Sequence, residues 1–185
     1  MSIATPVIVD RIFPKSIATN VSLVFGGAAL TAIAAQIQIP MWPVPMTMQT
    51  LAVLLVGAAL GAKRGALSLS LYLALGAAGL PVFASAKSLT GVIPTAGYIV
   101  GFVAAAALVG YLASRGFSSS PLKVALSFAL GSVVIYGFGV TGLMLALGLD
   151  FNSALAAGVI PFLIGDVLKA AAAAALLPVA WKLVK

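Results

Sequence analysis

Long apolar runs, broken by short turn-rich links, constrain this chain more than any other feature. They read as six spans: Val21–Ile39, Thr47–Ala62, Ala66–Gly79, Thr95–Ser114, Val124–Gly148 and Pro161–Trp181. A helix perpendicular to the bilayer needs about 20 residues. The second and third spans fall short of that, so they are expected to begin or end in non-helical backbone shielded inside a bundle. No water-soluble fold of 185 residues hides this much apolar surface, since 63% of them are hydrophobic and only 7% charged. Soluble domains carry roughly 25% charged residues. The fold class that follows is an all-α integral membrane protein, with residues 1–185 forming a single transmembrane domain.

Charge placement orients the spans. With the N-terminus on the cytoplasmic side, Arg11, Lys15, Lys63, Arg64, Arg115, Lys123, Lys182 and Lys185 all fall inside, and only Lys87 falls outside. Asp10 lies inside and Asp150 outside. This is the positive-inside bias, and an odd number of spans would scramble it; six helices with both termini cytoplasmic are expected. The same placement accounts for the net charge of +7, so membrane lipid is the expected partner and nucleic acid is not. Trp42 and Trp181 fall at opposite interfaces, where indoles concentrate. Arg11 and Lys15 ahead of an apolar run, with Ala32-Ile33-Ala34 behind them, imitate a signal peptide. Removing that segment would break the charge alternation, so it is read as a transmembrane helix. The chain has no cysteine and no histidine, which removes thiol nucleophiles, disulfides and the usual zinc or haem ligands. Neither a metal nor a cofactor is expected.

Helices in lipid associate by close packing of small residues. Ala28 and Ala32, Gly57 and Gly61, and Gly97 and Gly101 form such pairs. They read as packing surfaces within the bundle, with one exception: Thr31 and Ala35 extend the Ala28–Ala32 face into a smooth surface suited to a partner. The link "QIQIPMWPVPMTMQT" (Gln36–Thr50) carries Pro40, Pro43 and Pro45, which end the first span and hold the chain extended. Thr47 suits the N-cap of the second span. Gln36 and Gln38 read as solvation of the membrane surface, while Gln49, at the start of a helix, is a candidate ligand group. The second outer link, with Ser85, Lys87, Ser88 and Thr90, is polar enough to close over a small molecule.

The sixth span, expected to open at Pro161, contains two charges, Asp166 and Lys169. Their i, i+3 spacing puts them on one helix face, and each costs about 2.5–3.5 kcal/mol at a helix centre. A mutual ion pair would neutralise them, yet packed apolar residues would stabilise as well or better. An acceptor beside a cation suits a small polar ligand with N–H donors and a carbonyl, so binding is the favoured reading. A phosphate-binding G-x-x-x-x-G-K-[ST] loop is absent; the nearest approach, "GAALGAKRG", has the wrong spacing. The chain is therefore not expected to hydrolyse ATP. No serine adjoins Lys169 to make a nucleophile, which disfavours an intramembrane enzyme.

Four ordered motifs, "PVPMTMQTLAVLLVGAALG" from Pro43 to Gly61, "GLPVF" (Gly79–Phe83), "PTAGYIVGF" (Pro94–Phe102) and "PFLIGDVLK" (Pro161–Lys169), together resemble the BioY family. These are the biotin-binding S components of energy-coupling factor (ECF) transporters. The resemblance implies a six-helix protein of the prokaryotic cytoplasmic membrane that captures biotin from outside and is not an enzyme. It implies as partners a transmembrane coupling (T) subunit and two ATP-binding subunits. Asp166 and Lys169 match the last-helix G-D-x-x-K motif that contacts the ligand, and the resemblance nominates Ser85, Thr95 and Tyr98 as pocket residues. It also assigns coupling-subunit docking to Ala28 and Ala32. This chain carries Ile93 and Ala96 where the family often has glycines. The residues alone leave two other functions open. One is a self-sufficient proton-coupled permease, against which stands the lack of repeated halves. The other is a structural membrane protein.

Overall fold

The computed structural model describes residues 7–90 and 93–184; Lys185, counted above among the inner basic residues, lies outside the described residues. A short helix α1 (Val9–Ile12) leads into α2 (Ile17–Gln36), followed by an antiparallel pair of two-residue strands, β1 (Gln38–Ile39) and β2 (Met46–Thr47). Then come α3 (Gln49–Ala77), α4 (Ala96–Leu112), α5 (Pro121–Leu147), α6 (Phe151–Gly158) and α7 (Leu163–Leu183). Among the described residues, five helical segments are long and apolar enough to cross a membrane. The chain is a mostly helical, multi-pass membrane protein.

The second and third spans are continuous in α3, which is folded back on itself. At Gly61 φ is +83°, a left-handed conformation that glycine adopts without a Cβ clash. The chain reverses at that one residue rather than across a polar link. Gln49 Nε2 donates to the Tyr72 hydroxyl at 2.7 Å; 23 residues of straight helix would hold the two about 34 Å apart. The arms touch where a Cβ on Gly65 would lie 3.1 Å from Gly57 Cα. α4 packs between this hairpin and α5: a Cβ on Gly57 would sit 2.6 Å from the Ala106 carbonyl oxygen, and one on Gly97 2.8 Å from Gly142 Cα.

The first span departs from expectation. Ala28 is 2% exposed and Thr31 and Ala35 are fully buried, while Ala32 is half-buried. The smooth face is turned into the protein's own bundle, where adjoining Gly27 lies against Ser68 and Val56. Small residues let the α3 hairpin approach α2 closely. The exposed side of α2 is instead bulky, with Phe25, Leu30 and Ile33. Pro161 does not open α7; it sits in a 3-10 turn, Ile160–Phe162, that joins α6 to α7, where its missing N–H costs no hydrogen bond.

The two ends of the bundle differ in chemistry. At the Gly61 end, Arg64 pairs with Asp10 at 2.7 Å and reaches Asn20 at 3.2 Å. There Trp181 Nε1 donates to Ser118 Oγ at 2.8 Å, and Arg11 lies 5.6 Å from the indole centroid. Trp181 is thus a buried tie between helix ends, unlike Trp42, which is 80% exposed at the opposite end. That opposite end carries the β1–β2 pair and the candidate site.

Candidate functional site

Asp166 lies in the first turn of α7 and Lys169 one turn further on. Lys169 Nζ is 3.0 Å from Asp166 Oδ1, and each side chain is 12% exposed. Two further helices reach this pair. Thr50, in the first turn of α3, donates its hydroxyl to Asp166 Oδ1 at 3.3 Å and accepts from Lys169 Nζ at 2.8 Å. Tyr136, on α5, donates to Asp166 Oδ2. Three helices that have few other polar groups therefore converge on one carboxylate. Charge-assisted hydrogen bonds of this kind offset part of the desolvation cost that an ion pair alone would leave.

These four side chains form the polar wall of a cavity of about 50 Å³; Phe102, Phe162, Ile99 and Val44 supply much of the remaining lining. That volume admits one or two water molecules, whereas pockets that enclose small organic ligands run to roughly 300–1,000 Å³. The cavity is smaller than such a pocket. Its polar atoms satisfy one another across it.

Of the candidates named from sequence, Asp166, Lys169, Gln49, Thr95 and Tyr98 line this cavity. Two of them have their polar atoms engaged elsewhere. Gln49 Oε1 accepts from Thr47 at 3.1 Å, while its amide holds Tyr72, which donates onward to the Val82 carbonyl at 3.1 Å. Thr47 Oγ1 also accepts from Gln49 N at 3.1 Å, although the N-cap is Met48, one residue later than expected. Tyr98 presents its ring to the cavity and donates its hydroxyl to the Gly158 carbonyl at 2.7 Å. Ser85 is not brought to the cavity. Its hydroxyl meets the Gln38 amide, with contacts of 2.9 and 3.2 Å, and neighbouring Ala84 takes the lining position.

Gln36 and Gln38 do more than meet solvent. Gln36 donates to the Phe83 carbonyl at 3.0 Å and accepts from Ala86 N at 3.2 Å, so the two glutamines strap the α3–α4 loop to the end of α2. Phe83, 2% exposed, anchors that loop with its ring edge-on to Tyr72 at 5.3 Å. Sequence reasoning missed Thr50 and Tyr136. The available signal was a hydroxyl next to Gln49 and another in the middle of an apolar run, "VVIYGF".

The BioY family profile matches residues 8–185. A protein of Pyrococcus horikoshii named as a probable biotin transporter BioY is 42% identical over 159 residues, covering 84% of this chain and 92% of that one. A biotin transporter BioY of Rhizobium etli is 41% identical over 143 residues, covering 72% and 76%. One of Thermotoga maritima is 38% identical over 148 residues, covering 79% and 86%. A crystal structure of the S-component for biotin from an ECF-type ABC transporter has the same fold, with a TM-score of 0.78 at 22% identity over 89% of this chain and 92% of that chain. These relatives are transporters rather than enzymes. With the profile matched from residue 8 to the last residue and relatives this similar over most of their length, the chain belongs to the BioY family.

Proposed function

We propose that this chain is the biotin-binding S component of an ECF transporter and that this cavity is the biotin site. The observation that carries this reading is the cluster of Asp166, Lys169, Thr50 and Tyr136 on one wall of an otherwise apolar and aromatic cavity. Biotin has a ureido group with two N–H donors and one carbonyl, fused to an apolar ring. Asp166 accepts from the ureido N–H groups, Lys169 and a hydroxyl donate to its carbonyl, and Tyr98, Phe102 and Phe162 cover the ring. Thr95 and Gln49 complete the lining, and Ser85 acts through the loop that it helps to strap.

Binding requires the walls to part. Val44, Pro45 and Ala84 line the cavity from outside the long helices, so the two outer links are the segments that move. The short arms of α3, residues 49–60 and 62–77, cover about 18 and 24 Å at 1.5 Å per residue; each counts as one crossing, which gives six. The Gly61 end, with Arg11, Lys15, Lys63, Arg64, Arg115, Lys123 and Lys182, faces the cytoplasm of a prokaryotic cell. Energy for uptake comes from a separate T subunit and two ATP-binding subunits. Ala28 and Ala32 support docking of that T subunit by setting how closely α2 lies on the hairpin.

Calorimetric titration of ligand-stripped protein with biotin, beside Asp166→Asn and Lys169→Ala, tests the site. Tight binding by the parent and a loss of about a hundredfold or more in both variants, the scale of a lost charged hydrogen bond, is the expected result. A folded parent that binds no biotin sinks the reading. Uptake with and without co-expressed ATP-binding subunits separates it from a proton-coupled permease.

A further inference from the structure

A second concavity lies against the same carboxylate from the other side. It is a groove of about 610 Å³ between α5, α6 and α7, and Tyr136 and Asp166, which line the polar cavity, line this groove as well. We propose that the groove holds one acyl chain of a membrane phospholipid, seated against α7 behind the ion pair.

The dimensions select the occupant. The groove follows α5 from Ala129 to Met144, which is about 22 Å of helix and exceeds the roughly 15 Å depth of one hydrocarbon leaflet. A volume of about 610 Å³ over that length makes a groove about 9 Å from wall to wall once the radius of water is added on each side. A helix with its side chains is about 10–12 Å across, so neither a partner helix nor a second copy of this chain fits, whereas a single file of methylenes does. The rim is apolar and open to the membrane, with Val133 67% and Val167 68% exposed. The floor is cut away at Gly137, where an added Cβ would meet nothing within 4 Å. Of the three hydroxyl residues on the lining, Ser132, Tyr136 and Thr141, Tyr136 donates to Asp166 and Thr141 to the Gly137 carbonyl at 2.9 Å. A chain lying there closes the α5–α7 gap behind the Tyr136–Asp166 hydrogen bond and keeps headgroup water from the carboxylate. Its effect on ligand affinity rests on the proposed biotin site; its presence does not.

The test compares the parent with Gly137→Leu, which fills the groove from open space, and with Gly26→Leu, which adds the same side chain to open space on α2. Each is released from palmitoyl-oleoyl phosphatidylcholine nanodiscs, and retained phospholipid is counted by native mass spectrometry. Ala170→Leu narrows the groove from α7 and decides the matter if Gly137→Leu does not fold. The parent and Gly26→Leu are expected to retain one phospholipid, and the groove-filling variant to retain about tenfold less, given the burial free energy of a few methylenes. Added phosphatidylcholine is then expected to tighten biotin binding in the parent and not in the filled variant. Equal retention by all three proteins overturns the proposal. A parent that retains lipid but binds no biotin overturns the biotin reading and leaves the acyl chain in place.

Discussion

The Asp10–Arg64 and Asp166–Lys169 pairs are alike in length and cover. The first spans 2.7 Å with side chains about one-fifth exposed, the second 3.0 Å with side chains about one-eighth exposed. They differ in their other partners. Arg64 spends its remaining donors on the Leu60 carbonyl and on Asn20, so a planar, rigid fork bolts the start of the chain to the Gly61 turn. Asp166 and Lys169 instead lean on Thr50 and Tyr136, hydroxyls that rotate and both donate and accept. Lysine adds a flexible stem in place of a fork. One pair is fixed to the frame, and the other, as the proposed biotin site requires, can exchange each partner for a ligand atom without leaving a charge bare. Distance and burial do not separate the two roles. The company each pair keeps does.

The comparison breaks most visibly through substitution at the second pair. Asp166→Asn should weaken biotin binding by about a hundredfold or more, equivalent to ~2.7 kcal/mol, in calorimetric titration. Arg64→Ala should leave that affinity within about threefold yet lower unfolding stability by about 2 kcal/mol, because removing one partner strands a carboxylate that water only partly screens. Thermal unfolding in detergent reads that loss, and a change in affinity of the same size as that of Asp166→Asn would erase the distinction. Thr50→Val keeps the shape and removes only the exchangeable hydroxyl; about a tenfold loss of affinity is expected, in line with one charge-assisted hydrogen bond. The smallest effect belongs to Gln36→Leu, which unstraps the α3–α4 loop. It should change equilibrium affinity by about twofold to threefold, near the lower end of a neutral hydrogen bond's worth, and stopped-flow kinetics should show the change mainly in the dissociation rate.

Asp166 and Lys169 stood out in the sequence because charges in an apolar helix are costly, and the structure joins them in the ion pair that was the alternative to a ligand site. Thr50 and Tyr136 did not, since they reach Asp166 from 116 and 30 residues away, and local spacing carries no record of such approaches. Gln36 shows the same limit: its loop partners lie 47 and 50 residues along the chain. The small residues of the first span announced a close contact but not with whom, and the α3 hairpin took the position that a partner was expected to fill. The apolar segments came through as helices because hydropathy is a property of each segment by itself, although five described helical segments, not six, are long and apolar enough to cross. The turn at Gly61 and the short α6 before the sixth span depend on how segments meet, so their boundaries moved.

The fold-back of α3 rests on one backbone conformation. Any side chain at Gly61 is strained at φ +83°, so the register of the two arms, and with it the contact of Gln49 with Tyr72, hangs on a single residue remote in sequence from both.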